Sequence, residues 1–411
     1  MANNNNTKNL NVPTLRFPEF TGEWEETILG KCVTQPLDYG MNAAAIAYDG
    51  ENKYIRITDI DEQSSQYISD DPVSPAGQLL DKYIVEENDI LFARTGASTG
   101  KTYLYKKKDG KLYFAGFLIR AKIKTEYNSA FIFAQTKTAQ YYKWVEFMSI
   151  RSGQPGINSQ EYASYRFLIP QKEEQDKIAT FLSLLDSRIE AQIKIIEDLK
   201  LLKKTMSQNI FSLKIRFKDE EGNVFSSWKL RKLSDVLIIQ GGYAFKSSLF
   251  NQGTNKVIRI GDILPIIKLS NFSGIYSSET PNEKYIVSKN DFVMALSGAT
   301  FGKVGKIEDK GIAYINQRVA TFRTKQCLEF FYQLVQINNF KNYISSIPTA
   351  SAQPNISNDD IGNYKSYIPD VIEQTKIAGF LSTIDKKIAT ERAILDAYAK
   401  QKQYLLANLF I

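Results

Sequence analysis

Apolar residues recur alternately four and three apart along two long stretches of the chain. In the first the series runs Ile178, Leu182, Leu185, Ile189, Gln192, Ile196, Leu199, Lys203, Met206, Ile210. In the second it runs Ile377, Leu381, Ile384, Ile388, Glu391, Leu395, Tyr398, Lys402, Leu405, Leu409. A stripe of period 3.5 held this long predicts a coiled-coil seam rather than the broad face of a surface helix. The two stretches are also copies: Glu174 to Ile189 returns as Glu373 to Ile388, 199 residues later, with ten of sixteen positions identical.

The polar interruptions of the two stripes match, Gln192 with Glu391 and Lys203 with Lys402. A parallel pairing would stack Lys203 on Lys402, two like charges in one seam. An antiparallel pairing that sets Lys203 opposite Glu391 also sets Gln192 opposite Lys402, with the other layers apolar. Polar seam residues cost stability but fix register, so the sequence favours the antiparallel arrangement with these four residues as its register marks.

Between the helical stretches the pattern changes. From Trp24 to Pro170 the chain is rich in Tyr, Phe, Ile and Thr with Gly and Asn between, which predicts short strands joined by irregular connections. Tyr54–Ile60 and Asp89–Gly96 are the clearest strand candidates, and Ala130 to Phe147 reads as a helix. After the first long helix the plan restarts. Val257–Ile263 mirrors Tyr54–Ile60, Ser297–Lys303 mirrors Thr95–Lys101, Ser351–Ser357 mirrors Ser152–Asn158, and Ile368-Pro369 mirrors Ile169-Pro170.

The chain therefore reads as an α+β tandem duplication: two mixed domains, each followed by a long helix, the helices forming an antiparallel coiled coil. The expected divisions are an extended or disordered lead-in over 1–21, a first mixed domain over 22–170 and its helix over 171–213. A link over 214–227, a second mixed domain over 228–369 and a second helix over 370–411 complete the plan. The helices match closely while the mixed domains agree only at scattered framework positions. A fixed scaffold with variable loops is the pattern of two readers of different targets.

Composition narrows the chemistry. The chain of 411 residues contains no histidine, which excludes Ser–His and Cys–His nucleophile pairs and histidine metal sites. Cys32 and Cys327 lie far apart and match no metal or redox spacing, so no metal site is expected. Net charge is +7, a modest basic excess that suits an anionic partner. No signal peptide or membrane-length apolar run is present, which points to the cytoplasm and to no membrane partner.

Thr95–Thr102 is close to a phosphate-binding P-loop, but a Walker A loop needs glycine at position 95, where Thr95 stands, and the second copy carries Val304 in place of the metal-binding hydroxyl. The better reading is a loop whose amides, Thr95 and Ser98 hydroxyls and Lys101 grip a phosphate backbone, matched in the second copy by Ser297, Thr300 and Lys303. Gln154, Asn158, Gln353 and Asn355 offer amides suited to base edges, adenine especially. Arg94, Arg120, Arg151, Gln317 and Arg318 are candidates for base or phosphate contact on similar grounds.

The duplicated plan resembles the specificity subunit of bacterial type I restriction–modification systems. The resemblance rests on Ile169-Pro170, Glu174-Gln175 and Lys177-Ile178, their copies at Ile368-Pro369, Glu373-Gln374 and Lys376-Ile377, and the Ser-x-Gln-Pro-x-Ile turns before them. Gln171 and Asp370 stand where the family often has a second proline. The resemblance implies two target recognition domains, each reading one half of a split sequence in double-stranded DNA, held apart by the coiled coil. It implies a chain without catalytic residues and without a cofactor of its own. Its partners would be two modification subunits, which use S-adenosylmethionine to methylate adenine, and restriction subunits, which use ATP and Mg2+. Two other readings stay open at this point: a coiled-coil scaffold that touches no DNA, and a nucleotide hydrolase built on the Thr95 loop.

Overall fold

The computed structural model describes residues 11–150, 154–347 and 355–411. The Asn-rich start, Arg151 and Gln353 lie outside them. The chain falls into two compact units, residues 1–193 with 394–411, and residues 194–393.

In the first unit a four-stranded antiparallel sheet has the order Asp38–Tyr39, Leu118–Lys122, Asp89–Ala93, Thr102–Leu104. Helices α1 (Ser129–Gln135), α2 (Ala139–Met148) and α3 (Ser159–Ala163) follow. Strand Arg166–Ile169 then returns to pair with Glu25–Ile28, and α4 (Lys172–Phe211) begins. The second unit repeats the plan. A five-stranded sheet has the order Ile238–Gly241, Val319–Arg323, Phe292–Ala295, Val304–Ile307, Ile266–Ile267. Helices α5 (Leu328–Leu334), α6 (Asn338–Ser346) and α7 (Asn358–Gly362) follow. Lys365–Ile368 pairs with Lys229–Lys232, and α8 (Val371–Asn408) begins.

Several local expectations are corrected. Tyr54–Ile60 is not one strand: Lys53–Ile55 is extended and Ile57–Asp59 is a 3-10 turn, because the Asp59 carboxylate accepts the Arg56 backbone N–H and its guanidinium. The same Arg–Asp turn, Arg259 with Asp262, ends the strand Phe250–Ile258 in the second copy. Asp89–Gly96 is extended only to Ala93. The single helix expected over 130–147 breaks at Thr136-Lys137-Thr138. The Thr136 hydroxyl bonds back to the Phe133 carbonyl, and the Thr138 hydroxyl caps α2 by accepting from Tyr141 N–H.

The Glu-Gln pair that opens each copied helix has a structural task. Gln175 donates to the Pro170 carbonyl and accepts the backbone N–H of Asn128, the residue that caps α1. Gln374 does the same with Pro369 and Cys327. Glu174 forms a two-pronged pair with Arg16, and Glu373 with Arg216, both carboxylates buried. Each arginine also donates to backbone carbonyls of the segment leading into its unit, Arg16 to Thr21 and Gly22, Arg216 to Phe225 and Ser226. One residue pair thus locks entry strand, helical layer and long helix together.

Each core is then closed by the end of a long helix that began in the other copy. In the first unit Trp24, Phe131 and Phe410 meet edge-on or tilted with ring centroids 5.2–6.4 Å apart. In the second, Trp228, Phe330 and Phe211 repeat the trio at 5.4–6.4 Å. Ile178, Leu182 and Leu185 of α4 share a core with Leu405 and Leu409 of α8. Ile210 and Phe211 at the end of α4 share one with Ile377 and Leu381 near the start of α8. In both units the early part of one helix therefore lies on the late part of the other, which is the expected antiparallel packing.

The lysine partners expected in the seam are corrected. Lys203 pairs with Asp385 at 2.7 Å and Lys402 with Asp186 at 2.5 Å, rather than with Glu391 and Gln192. Glu391 pairs with Lys387 one turn earlier on its own helix. A lysine stem is long enough to leave the seam and place its ammonium beside a half-exposed carboxylate on the flank, which avoids the desolvation a buried layer would impose. The symmetry of the two pairs survives, since Asp186 and Asp385 are copies of one another.

Phe410→Ala and Phe211→Ala are each expected to cost about 3–5 kcal/mol, the first in the unit of Trp24 and the second in that of Trp228. Leu201→Ala, at a position 63% exposed, is expected to cost about 0.5 kcal/mol or less. Denaturant unfolding followed by tryptophan fluorescence checks all three.

Candidate nucleic-acid interface

Three segments of the first unit converge at one end of the four-stranded sheet. The first is the turn after Ala93, the second the turn Ala115–Phe117, and the third the Gln154–Ile157 turn ahead of α3. Arg94 N–H donates to the Phe117 carbonyl, Ile157 N–H to the Arg94 carbonyl, and Gly96 N–H to Pro155. Thr95 and Gly156 form an antiparallel bridge. Gly96 and Gly100 hold φ of +77° and +88°, a backbone that side chains disfavour. Gly40 lets its strand lie against the 114–115 backbone, where a Cβ would sit 2.2 Å from the Ala115 oxygen.

The second unit uses the same frame. Leu296 N–H donates to the Arg318 carbonyl, and Ile356 N–H to the Leu296 carbonyl. Ser297 and Asn355 form the bridge. Gly298 and Gly302 hold φ of +76° and +71°, and Gly242 approaches the Asn316 oxygen as Gly40 approaches that of Ala115.

The Thr95–Thr102 stretch is the turn of a hairpin between antiparallel strands, not a strand-to-helix loop, so it has no helix N-terminus to receive phosphate. Lys101 is turned inward: its ammonium donates to the Ile60 carbonyl and lies 3.6 Å from Glu62. Thr102 is fully buried with its hydroxyl against Thr136. The expectation of a phosphate grip at Lys101, and with it the hydrolase reading, is corrected. Thr99 is tied to the Gly96 carbonyl, and the Thr300 hydroxyl is buried with no partner among the described residues. Thr95, Ser98 and Ser297 are half-buried at the turn, while Lys303 is exposed.

Arg120 is also corrected. It is buried under the sheet, paired with Asp38 at 2.7 Å and near Asp89 at 3.5 Å, and it donates to the Ile84 and Lys82 carbonyls. Burial pushes the Asp89 carboxyl up to about 6, because its charged form loses water. Asn158 caps α3: its side chain accepts Glu161 N–H, while the Glu161 carboxylate accepts Asn158 N–H. Ser357 and Asp360 repeat that box at α7. Lys106 and Lys108 both meet Glu190 of α4, and Lys107 meets Glu87. These half-exposed pairs are weak and salt-sensitive.

Arg94, Gln154, Gln317, Arg318 and Asn355 do come to the surface of these frames. The Arg94 guanidinium lies 4.9 Å over the Tyr39 ring, whose hydroxyl accepts Ser159 N–H. Gln154 sits against Gly96. Arg318 donates to the Asn355 side-chain oxygen at 3.0 Å. Sequence reasoning missed Tyr39 and Phe117, which is 62% exposed. The only signal was their place beside a framework glycine, Gly40 or Gly116.

Lys137, in the α1–α2 break, donates to Ser65 and Thr102 hydroxyls and lies 4.4 Å over Phe133. Loss of water around its ammonium, with Lys402 nearby, lowers it to about 7. Among the described residues no group of three or more Cys, Asp or Glu could hold a metal ion, and no helix is long and apolar enough to cross a membrane.

Residues 41–200 and 226–397 each match the type I restriction modification DNA specificity domain. This chain belongs to that family. It is similar to the type I restriction enzyme MjaVIII specificity subunit of Methanocaldococcus jannaschii, 27% identical over 85% of this chain and 84% of that one. It is also similar to the EcoBI specificity subunit of Escherichia coli, 27% identical over 42% of this chain and 36% of that one. Its fold is similar to the S subunit of a type I system from M. genitalium, with TM-score 0.61, 17% identity and coverage of 97% and 99%. A chain solved in work on assembly and conformational transition of the type I R-M system has TM-score 0.56 and 15% identity, with coverage of 93% and 96%. As a specificity subunit the chain is itself non-catalytic, so its surface carries recognition rather than turnover.

With the subunit assembled in its complex, Lys303→Ala is expected to weaken binding to all DNA sequences alike and to lower the salt-dependence slope by about 1. Arg120→Met is expected instead to cost about 3 kcal/mol of stability. Binding titrations over a salt series, with thermal melts, separate the two.

Proposed function

We propose that this chain reads a DNA sequence in two halves, one through each unit's frame, with α4 and α8 setting the unread gap between them. The observation that carries this reading is the pair of matched frames. Backbone hydrogen bonds, glycine conformations and close approaches agree between copies, while the side chains they present do not. A backbone frame kept in both copies while its exposed side chains differ is the pattern of one scaffold serving two targets. The 40-residue α4 is about 60 Å long at 1.5 Å per residue, comparable with more than one turn of DNA. The basic excess supplies general affinity for the duplex.

In this reading the chain holds no cofactor and joins a larger assembly. Two modification subunits use S-adenosylmethionine to methylate adenine in the bound site, and restriction subunits use ATP and Mg2+ to translocate and cut. The relatives named as specificity subunits of type I restriction enzymes support that assembly. A scaffold that touches no DNA would leave the matched frames without a purpose.

Inserting the same whole number of helical turns into α4 and α8 is expected to lengthen the gap in the methylated sequence and leave both half-sites as they were. Long-read methylation profiling of a host carrying the complex reads this directly. An altered half-site with an unchanged gap would refute the proposal.

A further inference from the structure

Superposing the two frames by their shared hydrogen bonds pairs three positions whose side chains have been exchanged. The strand residue just before the close-approach glycine is Tyr39 in the first unit and Gly241 in the second. The residue that opens the hairpin turn is Arg94 in the first and Leu296 in the second. The residue whose carbonyl accepts that opener's N–H is Phe117 in the first and Arg318 in the second. The second unit therefore keeps one arginine on this frame but carries it on the neighbouring turn.

From this we infer that Arg94 and Phe117 in the first unit, and Arg318 in the second, are base-reading elements, a deepening that rests on the reading of the chain as a two-part DNA recogniser. Arg94 is half-buried, its guanidinium 4.9 Å from the Tyr39 ring centre and one of its amino groups donating to the Gly116 carbonyl. A planar guanidinium resting on a ring presents its remaining donors as a fork, the geometry that matches the two acceptors of guanine. Phe117 stands beside it, exposed and with its backbone fixed on both sides by hydrogen bonds, from Arg94 N–H to Phe117 and from Gly116 N–H to Met41. An exposed ring on a rigid turn is a contact for a thymine methyl or for a stacked base edge. In the second unit Leu296 is buried and packs into the core, and Gly241 leaves its place to Asn358. The arginine there leans on Asn355, so the second unit presents guanidinium and amide donors together, with no ring at these three positions. The two half-sites are accordingly different, and each has a purine-edge acceptor pair opposite its arginine.

The test uses the complete complex in a host, with methylated motifs read by long-read sequencing. Arg94→Ala and Phe117→Ala are expected to relax one or two base positions of one half-site, with discrimination falling about tenfold to hundredfold there. The other half-site and the gap stay unchanged. Arg318→Ala is expected to do the same to the other half-site. Arg94→Lys keeps the charge but not the fork and is expected to behave like Arg94→Ala in motif while melting like the wild type. An unchanged motif in both Arg94 variants and in Phe117→Ala overturns the inference. So does loss of all methylation from every variant at unchanged melting temperature, which marks an assembly role instead. A wild-type motif that is contiguous rather than split would sink the two-part reading itself, whatever the variants do.

Discussion

The buried contact between a Glu-Gln pair and the strand that precedes it is the constraint from which the remaining architecture follows. Gln175 and Gln374 each tie a proline carbonyl, a helix cap and the first turn of a long helix into one hydrogen-bonded knot. Glu174 and Glu373 are buried and are matched by arginines from the entry segments. A buried carboxylate left without its arginine is costly, so the direction in which each long helix leaves its mixed layer is set within the first turn.

The far ends of the helices complete the design. Phe410 fills the core that Trp24 and Phe131 begin, and Phe211 fills that of Trp228 and Phe330. Mixed domain and long helix are therefore not separable modules joined by a hinge, because the helix end supplies core residues to the domain. Buried aromatic area of this size dominates local stability. The side chains of Phe117 and Arg318 are exposed, which leaves them open to change at little cost to packing, whereas the copy of Arg94, Leu296, is part of the core of Trp228, Phe330 and Phe211.

The helices and the duplication were legible in the sequence because period and identity are strong, local and repeated. Antiparallel pairing followed from charge alone, through Lys203 and Lys402. The partners of those lysines did not, since a flexible stem chooses a flanking carboxylate that a layer diagram ignores. Short strands interrupted by Arg–Asp turns were read too long, for a side-chain bond between Arg56 and Asp59 leaves the apolar pattern untouched. The burial of Arg120 and Lys101 is not legible, because a single basic residue in a strand or turn gives no sign of it. Asn158 looked like a base-reading amide, although the Glu three residues on was a capping signature that could have been read. Arg94 and Arg318 are legible as candidates, but the equivalence of Arg94 with Leu296 and of Arg318 with Phe117 needs the hydrogen-bonded frame.

Removal of residues 394–411, followed by amide hydrogen exchange across the remaining chain, tests most directly whether the first mixed domain and the helix end packed in its core form one cooperative unit. Loss of protection throughout residues 11–193, with 194–393 keeping theirs, is the predicted result. Retained protection of the sheet around Asp89–Ala93 after the truncation would contradict the account.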